Sequence, residues 1–323
     1  MKKLKIMSLA VSSILVIGIF AGCGSKKNQT DSNATSTNKT AKKVKVGITY
    51  QNLQNEFIIH IQDKVRAKAK ELNIELIEVD GQGKAENQVS QVENFITQKV
   101  DAIILNPFDK DGCAPAVDKA VAAKIPIVVL NAQVSNLDKA NAYVGSDDSE
   151  AGKIEAKFIA DKIGGKGNVV IIHGPNGHSA EIGRTKGNME IIGQNLGMKV
   201  VAEQTANWDR AQALSLMENW LQSGKKINAV LAQNDEMALG AYKAIEAAGK
   251  TKEIPVIGID AIPDALKSVQ DGKLAATVFQ DAGGQGATAV DLAVKLSKGE
   301  KVEHLTYIPF QLVTMDKVKD FLK

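Results

Sequence analysis

From Val44 onward, apolar and polar positions follow a repeating beat. Val44-Lys45-Val46-Gly47-Ile48-Thr49 predicts a strand, and Phe57 to Leu72 carries apolar residues at helical spacing. Ile74 to Val79 alternates like a strand, and Val89, Val92, Phe95 and Ile96 return to the helical period. Ala102–Leu105 and Ile127–Leu130 are unbroken apolar runs, which suit strands of a parallel sheet buried on both faces. After Asp147 the beat resumes, with strands predicted at Val169–His173, Met198–Ala202, Ala229–Ala232, Val256–Ile259 and Ala275–Phe279 and helices between them. This alternation predicts an α/β protein of two doubly wound, parallel-sheet lobes. No short repeat of the solenoid kind is present.

The first 43 residues break the pattern. Lys2, Lys3 and Lys5 make a basic start, and the apolar run Ile6 to Phe20 follows. It falls short of the ~20 apolar residues that span a bilayer, which disfavours a transmembrane anchor. Small residues lead into Ala21-Gly22-Cys23, so residues 1–22 read as a secretory signal. The Ala-Gly-Cys exit resembles the bacterial lipobox, with Phe20 where Leu is usual; that resemblance implies that Cys23 is lipidated and becomes the new N-terminus. The rest of the 23–43 segment is rich in Ser, Thr, Asn and Lys without a large apolar residue, a composition that cannot offset its ordering entropy and reads as a disordered tether. The expected location is extracytoplasmic, lipid-anchored to the outer face of the cell membrane.

Some 280 residues remain, more than one core usually supports, so two lobes are expected. The net charge of +3 is matched by the three leader lysines, leaving a nearly neutral mature chain and arguing against nucleic acid as a partner. Apart from Cys23 the only cysteine is Cys113, so the mature fold holds neither an intramolecular disulfide nor a Cys-rich metal site.

In open α/β sheets ligands gather at the C-terminal ends of the strands. Those positions are Gln51–Phe57, Asn106, Asn131, Gly174–Arg184, Asn207–Arg210, Asn234–Asp235, Asp260 and Gln280. They are rich in uncharged side chains that donate and accept hydrogen bonds, with aromatics among them. A monosaccharide calls for this mixture: amides and carboxylates for its hydroxyls, aromatic rings for its C–H faces.

Three segments at these positions are specific. Ala232-Gln233-Asn234-Asp235-Glu236-Met237-Ala238-Leu239-Gly240-Ala241 resembles the signature of the ribose and glucose/galactose periplasmic-binding-protein family. Val256-Ile257-Gly258-Ile259-Asp260-Ala261-Ile262-Pro263-Asp264 and Gly272-Lys273-Leu274-Ala275-Ala276-Thr277-Val278 resemble its next two markers, at family spacing. The resemblance covers Val44 to Val313 and implies a ligand pocket. Asn55 would meet a hydroxyl and Phe57 a ring face. Asn131 stands where ribose binders have Asp-Arg and galactose binders Asn-Lys, but Ala132 follows it, so the cation is missing. His178 and Arg184 stand where galactose binders touch sugar, with Ala180 replacing the intervening Asp. Trp208 occupies the stacking position, and Asn234, Asp260 and Gln280 complete the set.

Plainer roles compete. Asn55 and Asp235 each precede a helical pattern and could be N-caps; the cap is preferred for Asp235 and the ligand role for Asn55. Trp208 could belong to the core, Arg184 on its helix could be solvated, and His178 by itself reads as a surface loop residue. Ser146-Asp147-Asp148 lacks further ligands for a metal and suits the cap of a helix at Ser149 to Ile163. Asp109-Lys110-Asp111-Gly112 is a fragment of a calcium-loop pattern, and Gly164-Gly165-Lys166-Gly167 is a turn. No metal, cofactor or catalytic group is expected.

The family fold implies three crossings between lobes, placed near Gly145–Asp147, Gln280–Asp281 and Pro309–Phe310. One lobe would be 44–145 with 281–309, the other 146–280 with 310–323. The expected role is capture of a neutral monosaccharide or cyclic polyol, hexose or inositol ahead of ribose, by a monomer that delivers it to an ABC permease. Presentation to a chemoreceptor or sensor kinase remains an alternative. A lactose-repressor-type regulator would need a DNA-reading N-terminus, and a sugar enzyme would need a second pocket carboxylate beside Asp260.

Overall fold

A computed structural model describes the chain from Lys43 to Leu322; the signal, Cys23 and nearly all of the tether lie outside the described residues. Two six-stranded sheets organise the rest. In the first, strands run in the order β11-β5-β4-β3-β1-β2, with β1 at Lys45–Tyr50, β2 at Glu75–Asp80, β3 at Ala102–Leu105, β4 at Ile127–Asn131, β5 at Ala142–Gly145 and β11 at Leu305–Tyr307. Every pairing in it is parallel. The second runs β12-β10-β9-β8-β6-β7, from β6 (Lys166–His173), β7 (Gly197–Thr205), β8 (Ala229–Ala232), β9 (Val256–Asp260), β10 (Ala276–Phe279) and β12 (Gln311–Val313). Only its edge pair β10–β12 is antiparallel.

Helices cover both faces of each sheet, which is why the central strands are apolar throughout: β3, β4 and β8 are buried at every position. The first sheet separates a core around Ile48, Ile104 and Leu130 from one around Phe95, Leu105 and Tyr143. The second separates a core around Met217, Trp220 and Ile245 from one around Ile159, Ile171 and Ile259. Helix α1 (Glu56–Glu71) and helix α9 (Ala282–Ser297) pack together on the first sheet. Helix α4 (Asp148–Ile163) and helix α5 (Ser179–Gln194) pack together on the second. The chain therefore passes between sheets three times: after β5, after β10, and between β11 and β12. Strands β5, β11 and β12, of four, three and three residues, are not predicted by the hydrophobic pattern.

The cap of α7 (Asp235–Ala247) corrects one expectation. Asn234 holds the extended cap geometry, and its Oδ1 accepts from Met237 N–H at 2.9 Å. Asp235 is the first residue inside the helix. Its buried carboxylate accepts from Thr277 Oγ1 at 2.7 Å and from Ile262 N–H at 3.0 Å, tying α7 to β10 and to the turn after β9. Burial pushes this carboxyl up to about 7, against the pull of those donors.

Candidate functional site

All nine expected ligand residues meet in one pocket between the sheets, with Gln51, Ile58 and Ala180 completing its wall. The pocket is small. Asn55, Phe57 and Asn131 come from strand ends or the following helix of the first sheet. His178, Arg184, Trp208, Asn234 and Asp260 come from the second, and Gln280 lies on the crossing after β10.

Strained backbone aims several of these groups. Asn131, Asn207, Trp208, Asp260 and Ala261 all have positive φ, at 67°, 56°, 63°, 130° and 59°. Such values are rare outside glycine, and for a residue as bulky as Trp they persist only where surroundings enforce them. The Trp208 indole lies over Gly174, where a Cβ would collide with the ring. His178 meets its face edge-on at 5.5 Å between centroids, and the Arg184 guanidinium lies 5.6 Å from its centroid.

Arg184 is buried, not solvated. Its Nε donates to Asp148 Oδ1 at 3.0 Å, Nη1 to the Gln233 carbonyl, and Nη2 to Gln280 Oε1 at 3.1 Å. Gly152 in α4 makes this possible, because a side chain there would strike the Arg184 carbonyl. Asp148 was read from sequence only as part of a helix-capping segment. Asp147 is the cap, its side chain accepting from Ser149 N–H, while Asp148 turns inward to hold the guanidinium. Burial raises Asp148's carboxyl and Arg184 pulls it back. Three of the five N–H donors of Arg184 are thus committed to the protein, and Asp148 balances its charge. Burial also lifts Asp260 well above the usual carboxylate range, with Arg184 opposing.

His178 is the buried N-cap of α5, not an exposed loop residue. Its Nδ1 accepts from Ala180 N–H at 3.1 Å, so the ring proton sits on Nε2 and is donated to Gln51 Oε1 at 2.7 Å. Burial, then the nearby Arg184 charge, pushes His178 down to about 3, so it stays neutral. Asn55 is a true N-cap, its Oδ1 accepting from Ile58 N–H at 3.3 Å, and lines the pocket as well. The two roles are compatible because the amide has a second end.

These internal bonds leave a defined set of groups for a ligand. Gln51, Asn55 and Gln280 have their side-chain oxygens engaged and their NH₂ groups available as donors. Asn131 is reversed: its Nδ2 donates to Gln285 Oε1 at 2.9 Å, leaving Oδ1 to accept. Gln285 is oriented in turn by donating to Ser146 Oγ at 3.1 Å. The two Asp260 oxygens are the remaining acceptors, and Phe57 and Trp208 supply ring faces. Of these, Gln51 stands among the strand-end positions but not in the expected set, and Gln285, in the first turn of α9, carries no sequence signal. Among the described residues no cluster of metal-ligating side chains occurs.

Two lobes with a small, polar, aromatic-walled pocket at the facing strand ends have the form of a solute-binding protein. The family model described as "Periplasmic binding protein domain" matches residues 46–301, and the chain belongs to that family. A solute-binding protein of an ABC transporter from Bacillus halodurans, solved with bound myo-inositol, superposes with a TM-score of 0.85 at 44% identity, covering 87% of this chain and 98% of that one. The ribose import binding protein of Bacillus subtilis is 37% identical over 95% of this chain and 99% of its own length. A xylitol-binding protein of Mycolicibacterium smegmatis is 36% identical over 97% of this chain and 86% of its own.

Proposed function

We propose that this protein captures a neutral, hydroxyl-rich small molecule outside the cytoplasm and delivers it to an ABC permease, and that a cyclic polyol or hexose is preferred over ribose. The observation that carries this is the balance of the pocket. It offers amide donors, the Asn131 and Asp260 acceptors and two aromatic faces, while its guanidinium is neutralised by Asp148. An anionic ligand would find no uncommitted cation there, and a cationic one no second free carboxylate. Hydroxyls both donate and accept, so they match this set. The relatives' names, which mention myo-inositol, ribose and xylitol, support the same class. The nine pocket residues are proposed as ligand contacts, His178 through its ring because both its nitrogens are engaged by the protein, and the two lobes as jaws that close on the ligand. Cys23 is proposed as the lipid attachment point, holding the protein at the membrane beside its permease.

A thermal-shift screen over inositols, hexoses, xylitol, ribose, amino acids and nucleosides tests the ligand class. Ligand at 100 times its Kd adds ~2.7 kcal/mol to stability. Stabilisation by an amino acid or nucleoside, with none by any sugar or polyol, overturns the reading.

A further inference from the structure

Trp208 also borders a second, larger cavity, which abuts the pocket and shares Gln51, Asn55 and Trp208 with it. Its outer wall is Asn52, Gln54, Phe108, Asn207 and Asp209. Carboxamides and two aromatic rings make up all of this lining except Asp209, repeating the chemistry of the inner pocket. Several polar groups are unused among the described residues. The Gln54 side chain makes no hydrogen bond; Asn52 uses only its oxygen, accepting from Gln54 N–H; and Asp209 uses only one oxygen, to cap α6 (Arg210–Gln222). Asn207 is spent internally, bonding Thr205 and Gln212, and so shapes the turn that carries Trp208. A third, wider cavity also borders the pocket; Ile262, Pro263, Leu266, Phe279 and Phe321 share its wall with the charged or titratable His60, Lys64, Asp281 and Asp320, unlike the carboxamides of the inner pocket.

The outer cavity is larger than the inner pocket, and it carries the same donors and ring faces. We propose that it is a second ring subsite, so that the protein accepts a neutral polyol or monosaccharide bearing a glycosyl substituent, the inner ring in the main pocket and the outer ring between Gln54 and Trp208. This rests on the sugar or polyol reading of the main pocket.

The test is calorimetric titration with myo-inositol, D-allose and D-ribose and with the galactosyl derivative of each. For the free compound that binds, the derivative should bind within about tenfold. Gln54→Trp, which fills the outer cavity from an exposed position, should weaken the derivative by at least about tenfold and leave the free compound within about twofold, because the added ring clashes only with the outer ligand ring. Retained binding of the free compound shows that this variant is folded. If it is lost, Gln54→Ala combined with Asn52→Ala should lower affinity for the derivative alone. A free compound that binds while its derivative does not, or variants that weaken both equally, overturns the second subsite and leaves the main reading intact. Failure of all six compounds overturns both.

Discussion

His178 Nε2 donates to Gln51 Oε1 at 2.7 Å, joining the N-cap of a second-sheet helix to the end of the first strand of the other sheet. Two further bonds cross nearby, from Lys110 N–H to the Gly177 carbonyl at 3.0 Å and from Gln133 N–H to Ser179 Oγ at 2.7 Å. The segment 177–179 is therefore a latch made by protein alone. Gln51→Ala leaves the buried His178 donor unpaired, which costs ~1–3 kcal/mol in the closed form. We expect weaker ligand binding, expressed mainly as faster release, with little change in unfolding temperature. Stopped-flow release and calorimetry check this; a release rate equal to that of the parent removes the latch from the account.

Trp208 is half-buried at the pocket wall, whereas Trp220 sits in the core beneath α6. Ligand should therefore alter fluorescence through Trp208. Trp208→Ala should abolish that change and weaken binding by roughly 2–4 kcal/mol, as loss of a central aromatic anchor does. An unchanged dissociation constant would show that the indole does not stack on the ligand.

The sequence makes the strand ends legible because buried parallel strands are continuous apolar runs, and each run ends on the residue that faces the cleft. Asn131, Asp260 and Gln280 could be placed in this way. What it conceals is the direction each side chain takes. Asp147 and Asp148 are adjacent and chemically alike, yet one caps α4 and the other enters the pocket to hold Arg184. Asn234 and Asp235 divide in the same way, and helical phase decides which is the cap. Gln285 orients Asn131 from 154 residues away, a pairing that only the third dimension supplies.

Glu155 gives a pH dependence of stability. It is fully buried between α4 and α5; its Oε2 accepts from Asn188 Nδ2 at 2.8 Å, and Oε1 has no partner. Burial pushes the carboxyl up to about 8. A group whose folded pKa lies above its unfolded value binds its proton more tightly when folded. Its contribution is complete below the ordinary carboxylate range and is lost as pH rises through about 8. Unfolding temperature should thus fall between pH 5 and pH 9. Glu155→Gln, which needs no proton, should flatten that slope and stabilise the protein at pH 8 by roughly 1–3 kcal/mol. A variant with the same slope as the parent would assign the pH effect to other buried carboxyls.

Cys23→Ala tests the proposed attachment. The variant should be unacylated, and either released or retained as an uncleaved precursor. Processing and partitioning like the parent's would exclude Cys23 as the lipidated residue. Deletion of residues 24–43 should leave ligand affinity unchanged.

Glu56, in the first turn of α1, faces Glu236, in the first turn of α7, so closing the lobes brings two carboxyls together. Each has a basic neighbour on its own side. His60 lies 3.6 Å from Glu56, and Arg210 holds Glu236 at 2.6 Å while also pairing with Asp264. Partial burial raises the Glu56 carboxyl, the Glu236 charge raises it further, and His60 opposes them. In an open form Glu236 is distant and the carboxyl returns towards its ordinary range, so closure takes up a proton. Ligand affinity should therefore rise as pH falls from neutrality towards the ordinary carboxylate range, and decline as pH rises through the raised value. Glu56→Gln removes the repulsion and should tighten binding at pH 7.5 by about two- to fivefold, since interactions between partly exposed charges are worth ~0.2–1 kcal/mol. The variant should also lose much of the parent's pH dependence over that window, Asp260 being common to both proteins. Calorimetric titrations at pH 5 and pH 7.5 decide it: a parallel pH profile in the two proteins would mean that the Glu56–Glu236 approach does not act on closure.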